Sequence, residues 1–303
     1  MLLIGCARGI SAAVDPAPEP KTRAERTNYQ ETSRYADVVA FLVALKGRPE
    51  LVFGSIGKTN EGRDIPYVVA SRPRVASPDE AKKLGRPVIY VQGNIHAGEV
   101  EGKEALLAIL RDLTASPRPN ALDSVVLIAV PIYNADGNER FASQERNRRS
   151  QNGPEMVGVR ENAQGLDLNR DYVKAEAPET RASLAMFNAW DPDVFVDLHT
   201  TNGSYHGYSL TYAPALNGAA PLAVWTRDQM MGVLRQRMQT RRGFATFDYG
   251  DFLGDACRVL VAGDFGDVRL DLTKNVGRCE HAERDRRRHG QAHGDAGPAG
   301  MLA

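Results

Sequence analysis

Three runs of apolar residues, each ending in polar residues, constrain the fold of this 303-residue chain more than any other feature. They are PVIYVQGN at 87–94, SVVLIAVPIY at 124–133 and DVFVDLHT at 193–200. Short runs rich in Val and Ile are typical of buried strands. Two segments with helical spacing, GEVEGKEALLAILRDL and PETRASLAMFNAW, lie between them. This alternation predicts an α/β fold in which helices cover both faces of a sheet.

The region before these runs predicts one helix and one hairpin. TSRYADVVAFLVALK at 32–46 has the spacing of an amphipathic helix, and LVFGSIGKTNEGRDIPYVVASR at 51–72 is typical of two strands around a Gly-containing turn.

A hydrophobic content of 42% is sufficient for one large core, so we expect a single α/β domain with short extensions. The formal net charge is zero, and no apolar stretch is long enough to span a bilayer. We therefore expect no nucleic acid partner and no transmembrane segment.

Three residues at the ends of the predicted strands form a candidate metal site. His96 and Glu99 lie on the turn after the first run, and His199 ends the third run. Two imidazoles and one carboxylate are a ligand set that catalytic zinc uses, with the fourth position left to water. A lone His-x-x-Glu pair is more often a pair of solvated turn residues, so the prediction depends on the neighbouring motifs. We leave His206 out of the ligand set because a catalytic zinc keeps one position open.

The loops between the ligand motifs are rich in Arg, Asn and Asp. They are PIYNADGNERF at 131–141, NRRSQNGP at 147–154 and GLDLNRDY at 165–172. A guanidinium fork binds a carboxylate through two hydrogen bonds, and an amide adds another donor, so these loops predict a carboxylate-binding site. Taken singly, Asn169 and Arg170 could be ordinary capping and pairing residues, and Arg148 could be a solvated charge.

With its motifs in this order, the chain resembles the zinc metallocarboxypeptidase family of the carboxypeptidase A type, in its bacterial form, over roughly residues 35 to 255. The resemblance implies a mixed, mainly parallel, eight-stranded sheet flanked by helices on both faces. It implies one Zn²⁺ per chain, held by His96, Glu99 and His199. The implied reaction is hydrolysis of a C-terminal peptide bond by a metal-activated water. The implied substrate is a peptide or amino-acid conjugate with a free C-terminal carboxylate.

The resemblance also implies roles for residues outside the metal site. Asn169 and Arg170 match the pair that holds the terminal carboxylate of the substrate. Asp167 matches the carboxylate that accepts a hydrogen bond from a zinc-bound imidazole and so sets its tautomer. The arginine that stabilises the oxyanion should lie between the NADG and DLNR motifs, and Arg148 is our choice, with Arg149 as the second candidate.

The end of the chain departs from the family pattern. The family requires a glutamate on a late strand that takes a proton from the attacking water. After Phe252 the only glutamates are Glu280 and Glu283, in a segment without apolar periodicity. CRVLVAGDFGDVRLDL at 257–272 could form a hairpin, but RCEHAERDRRRHGQAHGDAGPAG has no strand or helix period.

We therefore treat residues 256–303 as an atypical tail and hypothesise that a frameshifted or foreign segment replaces the last strands of the family. Loss of those strands should leave apolar sheet surface exposed. Two alternatives remain open: a disordered basic tail, and a zinc-binding cluster of His281, His289 and His293.

The start of the chain predicts export. In MLLIGCARGISAAVDPAPEP, the LIGC sequence resembles the lipid-attachment box of bacterial lipoproteins, with Cys6 as the modified residue and a start codon assigned too late. We expect an exported protein, whether periplasmic, secreted or lipid-anchored; the alternative is a frayed terminus on a cytoplasmic protein. The predicted division is a lead at 1–30, an incomplete catalytic domain at 31–255 and the tail at 256–303.

Two other functions remain open beside a carboxypeptidase-like hydrolase. One is a zinc-dependent amidase or deacylase on a related scaffold, which would cleave an N-acyl amino acid or a cell-wall peptide. The other is an inactive zinc-binding or peptide-binding pseudoenzyme, because the general-base glutamate is absent from its expected place.

Overall fold

The computed structural model describes residues 19–149, 153–200, 208–214, 219–248, 250–253 and 258–261. These residues belong to two compact units, Met1–Asn202 and Gly203–Ala303. The predictions made for Cys6, His206, Glu280, Glu283 and the three tail histidines concern residues outside this set and stay predictions, as does the division at 30 and 255. The described part contains no helix whose length and hydropathy would let it cross a bilayer.

The first unit alternates helices and strands. Its helices are α1 Arg23–Arg26, α2 Tyr35–Ala44, α3 Pro78–Leu84, α4 Glu101–Ala115, α5 Ala135–Glu139, α6 Gln144–Asn147, α7 Leu168–Asp171 and α8 Pro178–Trp190, with a 3₁₀ turn at Ala121–Asp123. Its strands are β1 Leu51–Lys58, β2 Asp64–Ala70, β3 Val88–Gly93, β4 Val126–Val130, β5 Ala142–Ser143, β6 Met156–Val157 and β7 Val194–Leu198. The predicted first helix, the hairpin and the three apolar strands are confirmed.

The second unit is smaller in its described part. It contains β8 Leu210–Tyr212, α9 Ala220–Val224, a π-helical segment Trp225–Met230, α10 Met231–Arg242, β9 Thr246–Asp248, β10 Gly250–Leu253 and β11 Arg258–Val261. β8 pairs with β9 in parallel, and β10 pairs with β11 in antiparallel orientation. The segment 257–272, which could form a hairpin, supplies β11, and this strand pairs with the preceding β10. The residues from 262 lie outside the described residues, so the hairpin stays a prediction.

The sheet of the first unit is mixed, as the family resemblance implies. Its strand order is β1-β2-β4-β3-β7. β1, β2 and β4 pair in antiparallel orientation, whereas β3 pairs in parallel with β4 on one side and with β7 on the other. This described sheet has five strands, and the remaining strands of the implied eight stay a prediction.

The core lies on both faces of this sheet. Along β4, Leu127 and Ala129 pack in the cluster that contains α2 and α4, while Val126, Ile128 and Val130 pack in the cluster that contains α3 and α8. Successive side chains of a strand point to opposite faces, so a strand that is buried throughout needs cover on both sides. The predicted coverage by helices on both faces is confirmed.

β7 forms one edge of the described sheet. Phe195 on this strand packs edge-to-face against Tyr90 and Phe187, with ring centroids 5.1 and 5.9 Å apart. Both phenylalanines are nevertheless partly exposed, at 39% for Phe195 and 36% for Phe187. Apolar surface is therefore accessible beside β7, on the side where the described residues place no further strand.

The NADG motif anchors the hairpin to the body of the first unit. The fully buried carboxylate of Asp136, in α5, accepts hydrogen bonds from the Thr59 hydroxyl at 2.7 Å, the Glu61 backbone N–H at 2.8 Å and the Arg63 guanidinium at 2.6 Å. All three donors lie in or beside the turn between β1 and β2. One carboxylate therefore satisfies three donors of the hairpin turn.

We expect the Asp136→Ala variant to lose about 3 kcal/mol of unfolding free energy, because it leaves the buried Thr59 hydroxyl and two partly buried donors without their acceptor. Urea unfolding followed by circular dichroism measures this loss. Glu145→Gln, which affects an exposed ion pair with Arg149, is the matched control and should change the free energy by less than about 0.5 kcal/mol. Equal midpoints for the two variants would contradict the anchoring role.

Candidate metal centre

Close packing of backbone brings the predicted ligands together. Gly93 ends β3, and a Cβ atom on it would lie 2.9 Å from the carbonyl carbon of Gly102 in the first turn of α4. A Cβ atom on Gly102 would in turn lie 2.6 Å from Cβ of Leu198, the last residue of β7. Only glycine permits this approach, so both positions need it. The turn that carries His96 and Glu99 is thereby held against the strand end that carries His199.

The three predicted ligands form one cluster. His96 Nδ1 lies 2.8 Å from Glu99 Oε1, and His199 Nδ1 lies 2.9 Å from Glu99 Oε2. One ligand atom from each residue fits within 4.8 Å of the others. The side chains of His96 and Glu99 are 4% and 3% exposed, whereas that of His199 is 31% exposed. The cluster is therefore closed on one side and open on the other, which suits a site that admits a substrate.

Each imidazole also contacts a second carboxylate. His96 Nε2 lies 3.1 Å from Asp167 Oδ1, and His199 Nε2 lies 2.9 Å from Asp197 Oδ2. The sequence predicts the Asp167 contact, but the Asp197 contact is new. Both rings thus have a carboxylate oxygen near each nitrogen.

The contacts around His96 favour a metal cation between its Nδ1 atom and Glu99. Burial, together with the charge of Arg160, lowers the pKa of His96 to about 4, so this ring is neutral at neutral pH. A neutral imidazole has one N–H and one lone pair, and therefore it can donate to only one of its two neighbouring carboxylates. If Nε2–H donates to Asp167, the lone pair of Nδ1 faces the anionic Glu99, and the Arg160 guanidinium, 3.2 Å from Nδ1, offsets only part of this repulsion. A divalent cation between Nδ1 and Glu99 removes this repulsion, and two nitrogens with one oxygen are a zinc ligand set. The residues therefore fit zinc.

The backbone also orients the shared carboxylate. The Thr200 backbone N–H donates to Glu99 Oε2 at 2.8 Å, next to the contact with His199. Glu99 thus holds its position through a backbone donor as well as through its neighbours. A ligand fixed in this way needs little reorganisation when a metal binds.

Arg148 lies at the site, whereas the second candidate Arg149 does not. Nη1 of Arg148 is 3.5 Å from Glu99 Oε1, and its stem packs on Gly98. Its side chain is 8% exposed, and Nη1 has no hydrogen-bond partner among the described residues. Burial, with a smaller effect of Arg160, lowers the pKa of Arg148 to about 10. Arg149 is 83% exposed and pairs with Glu145.

A further arginine, Arg160, was missed by the sequence analysis. Its Nε and Nη2 lie 2.9 and 2.8 Å from Asp167 Oδ2, and its Nη1 lies 3.2 Å from His96 Nδ1. It also lies between the NADG and DLNR motifs, where the catalytic arginine was sought. The NRRSQNGP segment is rich in arginine and therefore carries the stronger signal, although the isolated arginine in GVRENAQG lies in the same interval between the two motifs.

The DLNR motif forms the start of α7. Asp167 caps this helix by accepting the Asn169 backbone N–H at 2.9 Å, while it also contacts His96. Arg170 is exposed, and its guanidinium contacts the Asn169 carbonyl at 3.3 Å. Among the described residues no carboxylate pairs with Arg170, so its charge is accessible to an anionic ligand. The substrate-binding roles of Asn169 and Arg170 stay predictions.

Comparisons with known proteins agree with this geometry. A sequence model described as zinc carboxypeptidase matches residues 38–217. A probable carboxypeptidase 2 from Arthroderma benhamiae is 30% identical over 146 residues, which are 47% of this chain and 24% of that protein. Carboxypeptidase Z from Mus musculus is 33% identical over 125 residues, 39% of this chain and 17% of that protein. This chain thus aligns with about a quarter or less of the length of these relatives.

A solved structure supports the fold. The metallo-carboxypeptidase from Burkholderia cenocepacia superposes with a TM-score of 0.52 at 21% identity, and the match covers 73% of this chain and 54% of that one. The family match includes the DLNR motif and all three clustered ligands and spans more than half of the chain. The chain belongs to the zinc carboxypeptidase family.

Proposed function

We propose that this protein is a zinc metallocarboxypeptidase that removes the C-terminal residue from a peptide or amino-acid conjugate with a free carboxylate. The observation that supports this most is the convergence of two imidazole Nδ1 atoms on the two oxygens of Glu99. Family membership supports the reaction class, and the exposed guanidinium of Arg170 supports recognition of a carboxylate.

His96, Glu99 and His199 would hold the zinc ion. When bound, zinc acts as a Lewis acid that lowers the pKa of water and polarises a carbonyl group. Asp167 and Asp197 orient the two imidazoles, and Thr200 orients the carboxylate of Glu99. The buried side of the cluster excludes bulk water, which strengthens electrostatic interactions there.

The remaining roles belong to arginine and asparagine side chains. Arg170 and Asn169 bind the substrate carboxylate and so place the terminal peptide bond at the cluster. Arg148, whose buried Nη1 has a free donor beside Glu99, stabilises negative charge that develops on the carbonyl oxygen. Arg160 fixes Asp167 and thereby His96.

None of the described residues is assigned as the general base that takes a proton from the attacking water. The carboxylates that contact the imidazoles, Glu99, Asp167 and Asp197, are already engaged by them. The only glutamates after Glu179 are Glu280 and Glu283, outside the described residues. Turnover by the purified chain therefore decides between an active hydrolase and the pseudoenzyme alternative.

We expect the purified chain to bind one zinc ion, and His96→Ala to weaken this binding at least about 100-fold, because a direct ligand is lost. Competition with a chromophoric chelator measures the affinity, and circular dichroism verifies the fold. His206→Ala is the matched control and should keep the wild-type affinity. Wild-type protein that takes up no zinc would contradict the proposal, as would an equal loss in both variants.

The substrate class is tested with an N-blocked dipeptide and its C-terminal amide. We expect release of the C-terminal amino acid from the free acid alone. Arg170→Ala should raise KM for the free acid about 10- to 100-fold, the effect of one lost hydrogen bond between charged groups. Arg149→Ala, which removes the same charge at an exposed position, should leave KM unchanged.

Other outcomes favour the alternatives. Cleavage of N-acyl amino acids but of no peptide would indicate a deacylase or amidase. Full zinc occupancy without turnover on any of these substrates would indicate a pseudoenzyme. Equal cleavage of the acid and the amide would contradict recognition of a carboxylate.

Arg148 and Arg160, the two arginines beside the cluster, are expected to differ in their effects. Arg148→Ala should lower kcat about 100- to 1000-fold with little change in KM, because its donor acts on the developing charge. Arg160→Ala should instead weaken zinc binding, because Asp167 loses its partner. Steady-state kinetics and zinc competition on both variants, with Arg149→Ala as control, distinguish these roles. A loss of kcat with intact zinc affinity in Arg160→Ala would assign the oxyanion to Arg160.

A further inference from the structure

We infer that Asp197 is a positioning residue of the metal centre: it holds the His199 imidazole so that Nδ1 faces the metal. This inference rests on the proposed zinc site. The sequence predicts that Asp167 supports the imidazole of His96. Asp197 is a second, separate carboxylate that supports the other imidazole.

The geometry follows from the position of both residues at the end of one strand. Asp197 and His199 are two residues apart, the spacing that places side chains on the same face of a strand. β7 is held by its parallel pairing with β3, in which Gln92 is the partner of Asp197 and Gly93 is the partner of Leu198. The 2.9 Å contact between His199 Nε2 and Asp197 Oδ2 therefore joins two groups placed by a paired backbone.

The two nitrogens of His199 face different groups. Nδ1 faces Glu99, which is the point where the two imidazoles converge, and Nε2 faces Asp197. A carboxylate that accepts a hydrogen bond from Nε2–H fixes the tautomer in which Nδ1 carries the lone pair. It also fixes the rotation of the ring and increases the basicity of Nδ1 as a ligand. Asp197 thus does for His199 what Asp167 does for His96.

The side chain of Asp197 makes no other hydrogen bond or ion pair among the described residues. Asp167 also accepts the Asn169 N–H and pairs with Arg160, so it stabilises the loop as well as the imidazole. Asp197 instead pairs with no arginine or lysine, and its Oδ1 is buried without a hydrogen-bond partner in the described part of the chain.

The Oδ1 atom of Asp197 is buried without a donor, although the side chain as a whole is 17% exposed, and a buried oxygen without a donor is unfavourable for folding. The cost is offset only when positive charge lies nearby, as on an imidazole that binds a metal ion. We therefore expect Asp197 to favour the metal-loaded chain over the metal-free one.

The difference between the metal-free and the metal-loaded chain distinguishes a positioning role of Asp197 from a purely structural one. Asp193, at the entry to β7, accepts the Val88 backbone N–H at 2.8 Å and holds the same strand to β3 without contacting a ligand. Asp197→Asn, Asp197→Ala and the control Asp193→Ala are compared in the full chain. The readouts are zinc affinity by chelator competition, the melting temperature of the metal-free protein, and the visible spectrum of the Co²⁺-substituted protein.

We expect both Asp197 variants to bind zinc about 10- to 100-fold more weakly than wild type. Their metal-free melting temperature should be unchanged or higher, and their Co²⁺ spectra should differ from wild type because the His199 ring is no longer fixed. Asp193→Ala should show the opposite pattern, with a lower melting temperature and wild-type zinc affinity.

Zinc affinity within about twofold of wild type in both Asp197 variants, with an unchanged Co²⁺ spectrum, would overturn the positioning role while leaving the zinc site intact. A lower metal-free melting temperature with unchanged affinity would assign Asp197 a purely structural role and would also overturn it. Wild-type protein that binds no zinc would overturn the proposed function and this inference together.

Discussion

The parallel pairing of β3 with β7 is the constraint on which the rest of the site depends. It aligns Gly93 with Leu198, so the turn after one strand meets the residue after the other. The absence of side chains at Gly93 and Gly102 lets α4 begin against both strand ends. Parallel neighbours present their carboxyl ends at the same edge of a sheet, which is where α/β proteins place their ligands. Two ligands from one turn and a third from the next strand converge for this reason.

The electrostatics of the cluster follow from that convergence. Glu99, Asp167 and Asp197 surround two imidazoles, and burial disfavours protonation of His96. Repulsion between carboxylates and lone pairs would be costly in a buried site without a cation. Arg160 offsets part of this charge at Asp167, and Arg148 lies close to Glu99. The three carboxylates exceed the two guanidinium groups by one negative charge. This net negative charge favours the binding of a divalent metal ion between the two histidines.

The sequence predicts the strands, the helices on both faces and the three clustered ligands because these depend on local patterns. Strand ends follow from apolar runs, and ligand motifs follow from spacing along the chain. Residues whose roles arise from packing between loops were harder to identify. Arg148 and Arg149 are adjacent in sequence, but one is buried beside Glu99 and the other is exposed. Arg160 was missed because its contact with Asp167 depends on how the loop before α7 folds back. Asp197 could have been found from its spacing to His199, but a single acidic residue in an apolar strand carries no signal of its own.

The central claim is that one metal ion is bound by two imidazole nitrogens and the carboxylate of Glu99. X-ray absorption spectroscopy at the zinc edge, on protein reconstituted with one equivalent of zinc, tests it most directly. We expect a first coordination sphere of nitrogen and oxygen only, at about 2.0–2.1 Å, with the outer scattering of two imidazole rings. A sphere that contains sulfur, or one without two imidazoles, would contradict it.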